Sequence, residues 1–482
     1  MEMEEEKKNE YYFFRYFKMK LYGDQSVRTN MKITDEGGKI VAAHVVFAES
    51  IRFLKDAAIN ELKKSVFLER DIKWVVTVPA IWSESAKQFM TLACKEAGID
   101  NDHLDITLEP ESAALCCQYM SLERTDIMDN SSDLKTFADG RKFMVLDLGG
   151  GTVDITAYQV IKIEEKSTLK EVYKATGGPW GGRKVDEAFE SAWEQCIGNK
   201  QWKDLKLEYL DEILEFFNRF EIQKRNFGRE TIRETINLTL PECIREFKEL
   251  DHLLNTRFGS NVSLKRGKVS FSAEEFSQFF QTSKTELVRV IEGLFLTPEL
   301  AEIETVLMVG GFSESGIIQA AVKQAINENS KAVVYVPKEP ESVILKGAAI
   351  YGYVPDIIME RVSRFTYGVS TRKPFDAAKD SRESPHYHRV EQEEYIEDMF
   401  HAFVRAGDTV IPGKTMASHT FRSVALNKRG SLDIEIFAST QSNPVFTRDP
   451  HSEETSWKIG CVEFPNFSRE NIGKAVTVIM KF

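Results

Sequence analysis

An α/β protein followed by a β-rich carboxyl-terminal region is the fold class that three stretches of this 482-residue sequence predict. Strands alternate with helices between Lys73 and Gln118, and a strand–glycine–strand segment runs from Phe143 to Gln159. An apolar strand then enters Gly310 and Gly311 ahead of a further helix. Beyond Pro355 helical spacing gives way to short alternating strands.

The length allows two to four domains, each with its own core. With 42% hydrophobic and 29% charged residues, the composition is that of an ordinary soluble chain. A formal net charge of -12 (63 basic against 75 acidic residues) argues against nucleic-acid binding through a broad basic surface. Six cysteines without a C-x-x-C pair predict neither a zinc site nor a disulfide framework, and reduced thiols suit the cytoplasm. The acidic amino terminus lacks a signal-peptide core, and no run approaches the ~18 apolar residues of a membrane span.

Tyr11 to Tyr22 is aromatic but broken by charges, and is expected to pack on a neighbouring element. Met31 to Phe47 reads as two strands about a turn at Asp35 to Gly38. Ala48 to Lys64 has helical spacing, with Ile51, Leu54, Ala58 and Leu62 on one apolar face. Lys73 to Val78 is a β-branched strand ending at Pro79. Ser83 then caps a helix that runs through Ala97 and stops at Gly98. Ile106 to Leu108 is a short strand, Glu111 to Gln118 a small-residue helix, and Asn130 to Asp139 a polar surface loop.

Within Phe143 to Gln159 the apolar run closes at Asp147, and Gly149, Gly150 and Gly151 form a sharp turn that could hold an anion on its amides. Strand alternation places Thr152, Asp154 and Thr156 on a polar face and Val153, Ile155 and Ala157 on a core face. Asp147 and Asp154 would repel a bare phosphate but could hold a hydrated magnesium ion against one. A tight hairpin with merely solvated acids is the alternative.

Ala175 to Arg183, with four glycines and a proline in nine residues, reads as a loop that touches a ligand. Asp186 to Cys196 resumes a helix, and Trp202 to Phe227 reads as one long amphipathic helix. Near its end Glu221, Lys224, Arg225 and Gly228 share a face, which alone suggests a salt-bridged solvent surface. Val306 to Ser315 is the strand-to-helix glycine turn that could hold a nucleotide, followed by a strand at Lys331 to Val336 and a helix at Glu339 to Tyr351. In the carboxyl-terminal region Thr366 to Ser370, Ser431 to Ala438 and Ala475 to Phe482 read as strands, and the polar stretch 374–394 as an exposed loop.

Taken in order, these motifs resemble the nucleotide-binding domain of the heat-shock 70 kDa chaperones, in the actin-like ATPase (ribonuclease H-like) superfamily. VPAIW, LEPESAA, GGFSES and SRFTYGV resemble more narrowly the divergent heat-shock 70 kDa protein 12 branch. The resemblance implies ATP or ADP with Mg2+ as cofactors. Asp147 and Asp154 would hold the metal through water, and Asp147, Thr152 and Asp154 would form the catalytic group. Gly149, Gly150, Gly151 and Thr152 would hold phosphates, Glu221, Lys224 and Arg225 would contact the adenosine, Gly310 and Gly311 would approach the nucleotide backbone, and Gly181, Gly182 and Glu341 would complete the cofactor-binding set. Pro79 and Glu109 match positions that couple nucleotide state to domain movement.

The resemblance divides the chain into 1–141, an incomplete first half of the nucleotide-binding domain, 142–356, its second half, and 357–482, the β-rich region. No D-x-G-T-T segment precedes Lys73, so the first phosphate motif and the lysine associated with hydrolysis have no visible counterpart. Phe312, Glu314 and Gly228 depart from the family at the adenosine site, and no peptide-binding sandwich with a helical lid is recognisable. The implied function is a nucleotide-binding, chaperone-related stress-response protein with weak or absent ATP hydrolysis and unidentified protein clients, which leaves open whether the chain is an enzyme. A nucleotide-independent scaffold and a small-molecule kinase are the alternatives.

Overall fold

A computed structural model describes residues 11–23, 30–62, 69–119, 137–163, 166–228, 235–390, 393–422, 432–448, 455–464 and 475–481. At its centre lies a seven-stranded mixed sheet in the order Val333–Tyr335, Ile303–Val309, Lys142–Leu148, Val153–Ile163, Lys166–Gly178, Ile358–Val362, Thr409–Val410. Lys142–Leu148 is parallel to Ile303–Val309 and antiparallel to Val153–Ile163. Covered on both faces, it must be apolar at almost every position, which is why it reads as a continuous hydrophobic run.

Alternation along that strand divides the cores. Met144, Leu146 and Leu148 face an aromatic cluster with Phe189, Trp193, Phe216 and Phe220. Phe143 and Val145 face the opposite side, against Cys116 and Cys117 of the helix Glu109–Tyr119 and Val343 of the helix Val343–Tyr353. A third core joins Leu21, Phe47, Trp82 and Phe89. Phe14, Phe17 and Tyr22 pack against it, so part of the amino-terminal aromatic stretch does pack as expected.

The capped helix is present as read. Ala86 N donates to Ser83 Oγ at 3.2 Å, the helix runs Glu84–Glu96, and Gly98 takes a φ of 81°. Other elements differ from the sequence reading. The helix expected from Ala48 starts at Ala43, directly after the strand Ile40–Ala42, and ends at Leu62. Its buried face carries Val46, Phe47 and Ile59, whereas Leu54 is 67% exposed and Leu62 40%. Phe47 sits edge-on between Phe17 and Phe89, at 4.9 and 5.3 Å, so a tertiary partner sets the buried stripe and not the best local spacing.

The strand Lys166–Gly178 continues into the expected glycine loop, with Gly177 opposite Asp154. A Cβ at Gly177 would lie 1.9 Å from Val153 O, so glycine extends the strand here by permitting close approach. The single helix expected over 202–227 is two, Asn199–Glu208 and Leu210–Asn226, broken at Tyr209 with ψ 45°. The helix expected from Glu339 begins at Val343, leaving Glu341 in the preceding turn. The expected loop 374–394 contains a strand, Tyr387–Val390, preceded by a buried His386 stacked on Phe446 at 4.0 Å.

The carboxyl-terminal region is rich in strands, as expected, but it forms two packed sheets. A five-stranded sheet has the order Tyr387–Val390, Glu393–Val404, Thr366–Pro374, Leu432–Ser439, Ser456–Phe464, and a two-stranded one joins Thr415–Arg422 to Ala475–Lys481. They meet where the rings of His401 and His419 lie 4.4 Å apart beside Phe403 and Phe421. A cleft of about 870 Å³ lies between them, lined by residues such as Val369, Phe421, Ile434 and Val478.

This region is tied to the central sheet through Ile358–Val362, parallel to Lys166–Gly178. From that strand Arg361 donates to both oxygens of buried Glu111, at 2.6 and 2.9 Å. Removing the guanidinium would strand a buried carboxylate. Arg361→Met is therefore expected to lower the unfolding free energy by roughly 2–4 kcal/mol, somewhat below a fully buried pair because Arg361 is partly exposed. Urea unfolding followed by circular dichroism checks this, and adding Glu111→Gln should recover most of the loss.

Candidate functional site

The hairpin sets Asp147 directly opposite Asp154 in the antiparallel register. Asp147 is 2% exposed and Asp154 0%, which rules out merely solvated acids. Asp154 Oδ1 accepts from Ile81 N at 3.0 Å, so the segment after Pro79 closes on the hairpin from the other wall. Among the described residues Asp147 Oδ1 and Asp154 Oδ2, both buried, have no hydrogen-bond partner. Two buried carboxylate oxygens left without a donor fit a cation that brings its own waters, as Mg2+ does.

The electrostatics agree with that fit. Burial first, and then the Glu109 and Asp154 charges, push the Asp147 carboxyl well above its usual range, with Lys18 opposing. Burial and the Glu109 charge push Asp154 up to about 7, against the Ile81 N–H, the Thr152 hydroxyl and Lys18. Lys18 Nζ lies 2.5 Å from Glu109 Oε1. Burial works against its ammonium, but the carboxylates of Glu109, Asp147 and Asp154 outweigh it and raise its pKa.

Three glycine segments meet around these acids. Gly182 N donates to Gly149 O at 3.2 Å and Arg183 N to Gly150 O at 2.7 Å, zipping the second glycine segment onto the hairpin turn. Gly149 N–H is engaged with Thr152 O at 2.9 Å, so the turn cannot offer all three of its amides to an anion. Gly310, with φ 83°, closes the third side. A Cβ there would stand 2.5 Å from Leu148 O and 2.6 Å from Asp147 Oδ1.

At the far end Lys224, nearly fully buried, bonds to Asp186 Oδ1 at 2.7 Å and Gly182 O at 3.3 Å, and pairs with Glu221. Arg225 Nε donates to Glu221 Oε1 at 2.8 Å. Burial pushes Glu221 up, but Lys224 and Arg225 outweigh it and leave its carboxyl below the usual range.

A cavity of about 550 Å³ joins these groups. Of the residues singled out from the sequence, Asp147, Gly149, Gly150, Gly151, Thr152, Gly182, Glu221, Lys224, Arg225, Gly310, Gly311 and Glu341 line it. Asp154 lies behind the lining, and Gly181 N donates to Gly151 O at 3.3 Å from outside it. Gly228 and Glu314 line a different cavity, and Phe312 is buried behind Gly182.

Arg15, Tyr16, Lys18, Met19, Trp82, Glu109, Arg183 and Asp186 also line the cavity. Lys18 has no place in the site expected from the sequence, where the lysine associated with hydrolysis has no counterpart, yet its ammonium stands among the acids. Lys18 and Lys20 alternate with Phe17, Met19 and Leu21 in a short 3-10 turn, Phe17–Leu21, and nothing local distinguishes the two lysines.

A glycine hairpin beside a glycine-ended parallel strand of the same mixed sheet, with paired acids at the hairpin's turn, marks an α/β protein of the actin-like ATPase class. Residues 5–384 match the family model described as Hsp70 protein, and the chain belongs to that family. It is 29% identical to heat shock 70 kDa protein 12A of Homo sapiens, over 90% of this chain and 71% of that protein. Identity to heat shock 70 kDa protein 12B of Homo sapiens is 30%, over 86% and 67%. The chaperone protein DnaK of Thermus thermophilus is 26% identical, over 72% of this chain and 49% of its own length.

The raised pKa of Asp154 carries a stability consequence. The folded chain holds this proton more tightly than the unfolded one, so the stabilisation is complete below the unfolded pKa and is lost as pH rises through about 7. Asp154→Asn keeps an acceptor for Ile81 N and removes the charge. It is expected to stabilise the ligand-free protein at pH 8 by on the order of 1–4 kcal/mol, with little effect near pH 4. Thermal denaturation across that pH range checks both the sign and the window.

Proposed function

We propose that the chain binds an adenine nucleotide with magnesium in this cavity and acts as a chaperone-related protein with weak or absent ATP hydrolysis. The observation that carries the reading is the pair of buried, donorless oxygens on Asp147 and Asp154 beside the glycine turn. Magnesium bound there would supply charge neutralisation for phosphate oxygens. Asp147 and Asp154 would orient its waters, Gly150 and Thr152 would lie along the phosphates, and Lys18 would stand opposite them. Glu221, Lys224 and Arg225, already fixed in one ion-paired group, would meet the ribose and base. Among the described residues one glycine hairpin lines the cavity, which supports retention more than rapid turnover, since phosphoryl transfer depends on positioning from both sides.

The cleft between the two carboxyl-terminal sheets supports protein clients as the partner class. Apolar Val369, Ile434 and Val478 line it together with Arg372 and Lys373. All six cysteines are free thiols, which supports a cytoplasmic location. No described helix is long and apolar enough to cross a membrane.

One observation favours a nucleotide-independent scaffold instead. Met19 crowds the phosphate turn so closely that a Cβ at Gly151 would lie 2.1 Å from its Sδ. A scaffold would keep its partners after all nucleotide was stripped away, whereas the favoured reading requires them to exchange with nucleotide state.

Calorimetric titration of the full chain with ATP and ADP, with and without Mg2+, tests the proposal. Binding should strengthen with magnesium, and Asp147→Ala should abolish that dependence. No heat from a protein that circular dichroism shows to be folded would end the nucleotide reading. Single-turnover phosphate release is expected to stay near background, and sustained release would contradict the weak-hydrolysis part.

A further inference from the structure

The two carboxyl-terminal sheets share no hydrogen-bonded strand pair among the described residues, so side chains hold the smaller sheet against the larger. In the strand Thr415–Arg422, His419 and Phe421 alternate with exposed Ser418 and Thr420 and make the contact. The His419 ring lies 4.4 Å from that of His401 and 5.0 Å from that of Phe403, and Phe421 lies 5.1 Å from His401. His401 Nε2 is buried and, among the described residues, has no hydrogen-bond partner. A two-stranded sheet is marginal by itself, so Thr415–Arg422 and Ala475–Lys481 depend on this contact to stay ordered.

The other histidines of the region are provided for differently. His386 Nδ1 lies 3.7 Å from Asp398 Oδ2 and His388 Nε2 3.5 Å from Glu397 Oε2, so each has a carboxylate to balance a proton. Among the described residues neither His401 nor His419 pairs with a carboxylate. Opposite them in the strand registers stand Val369, on Thr366–Pro374, and Val478, on Ala475–Lys481. Burial first, and then the positive charges of His419 and of Arg405 just beyond the His401 strand, hold the His401 imidazole below the ordinary histidine range.

We propose that His401 and His419 form a proton-operated clasp, whose neutral rings hold the two sheets together and whose protonated rings part them and widen the cleft between. The inference concerns the sheets themselves and stands apart from the nucleotide reading. Two imidazolium rings in contact repel, and with no carboxylate at hand each finds compensation for its charge only in water. Val369, opposite His401, and Phe421 also line the cleft, so the clasp closes one part of its wall. The sign of the His401 shift sets the window. The closed form binds this proton less readily than the open one, so closure is at full strength above about 6.5 and weakens as pH falls below it. Asp154 titrates nearby with the opposite sign, which calls for a local measurement and not a global one.

Hydrogen exchange of the full, ligand-free chain, read by mass spectrometry at pH 7.5 and 5.0 and corrected for the intrinsic pH dependence of exchange, tests this. Amides of 415–422 and 475–481 should lose about tenfold in protection at pH 5.0, the change one pK unit of linkage produces, while Leu432–Ser439 keeps its protection. His401→Phe and, separately, His419→Phe keep a ring in the contact with no proton to bind, and each should cut the loss to about twofold or less. His388→Phe, at the histidine beside Glu397, should leave the full loss in place. Either ring variant that circular dichroism shows to be folded is enough for the comparison. Unchanged protection at pH 5.0 in the unsubstituted chain would overturn the clasp. So would a full loss that persists in a folded ring variant, or a loss shared equally by Leu432–Ser439, which marks general acid unfolding.

Discussion

Two carboxylates face each other inside the central sheet, and the rest of the site is built around keeping them there. Asp147 and Asp154 are cross-strand partners, both buried, with Glu109 adding a third negative charge. Like charges brought together away from water strongly disfavour joint ionisation. The protein relieves this with an N–H from Ile81 and the ammonium of Lys18, and among the described residues Asp147 Oδ1 and Asp154 Oδ2 have no hydrogen-bond partner. A cation between them would complete the arrangement. Without one, the pair is held at the expense of stability, as expected where function sets the residue and packing does not.

The same acids connect the site to the rest of the chain through short steps. Asp154 accepts from Ile81 N, and the Ile81 carbonyl accepts from Arg364. Arg364 follows the strand Ile358–Val362, which pairs with the central sheet and leads into the carboxyl-terminal sheets. One residue, Ile81, thus separates Asp154 from the segment that joins the two regions. Glu111 and Arg361 fasten that segment from the side.

Much of this was legible in the sequence where local chemistry dictates the outcome. The hairpin, the Ser83 cap with Gly98, and the glycine pair after Ile303–Val309 each depend on residues adjacent in the chain, and each is present. So is the grouping of Glu221, Lys224 and Arg225, whose helical spacing puts them on one face. What could not be read depends on distant partners. Gly177 extends a strand only because Val153 lies across from it, and the buried stripe of Ala43–Leu62 is chosen by Phe17 and Phe89. Lys18 became a site residue through Glu109, 91 positions away. The five-stranded carboxyl-terminal sheet arises from pairing of strands such as Glu393–Val404 that carry too many charges to show a clean alternation.

The most direct test of the buried pair as a magnesium and nucleotide site is its proton balance. Calorimetry of Mg·ADP binding at pH 7 in buffers of different ionisation enthalpy reads the protons exchanged. With Asp154 raised to about 7 and Asp147 raised well above its usual range, binding that requires both as carboxylates should release roughly half a proton or more per nucleotide. Binding enthalpies that do not vary with the buffer would contradict the assignment of these two aspartates to the metal.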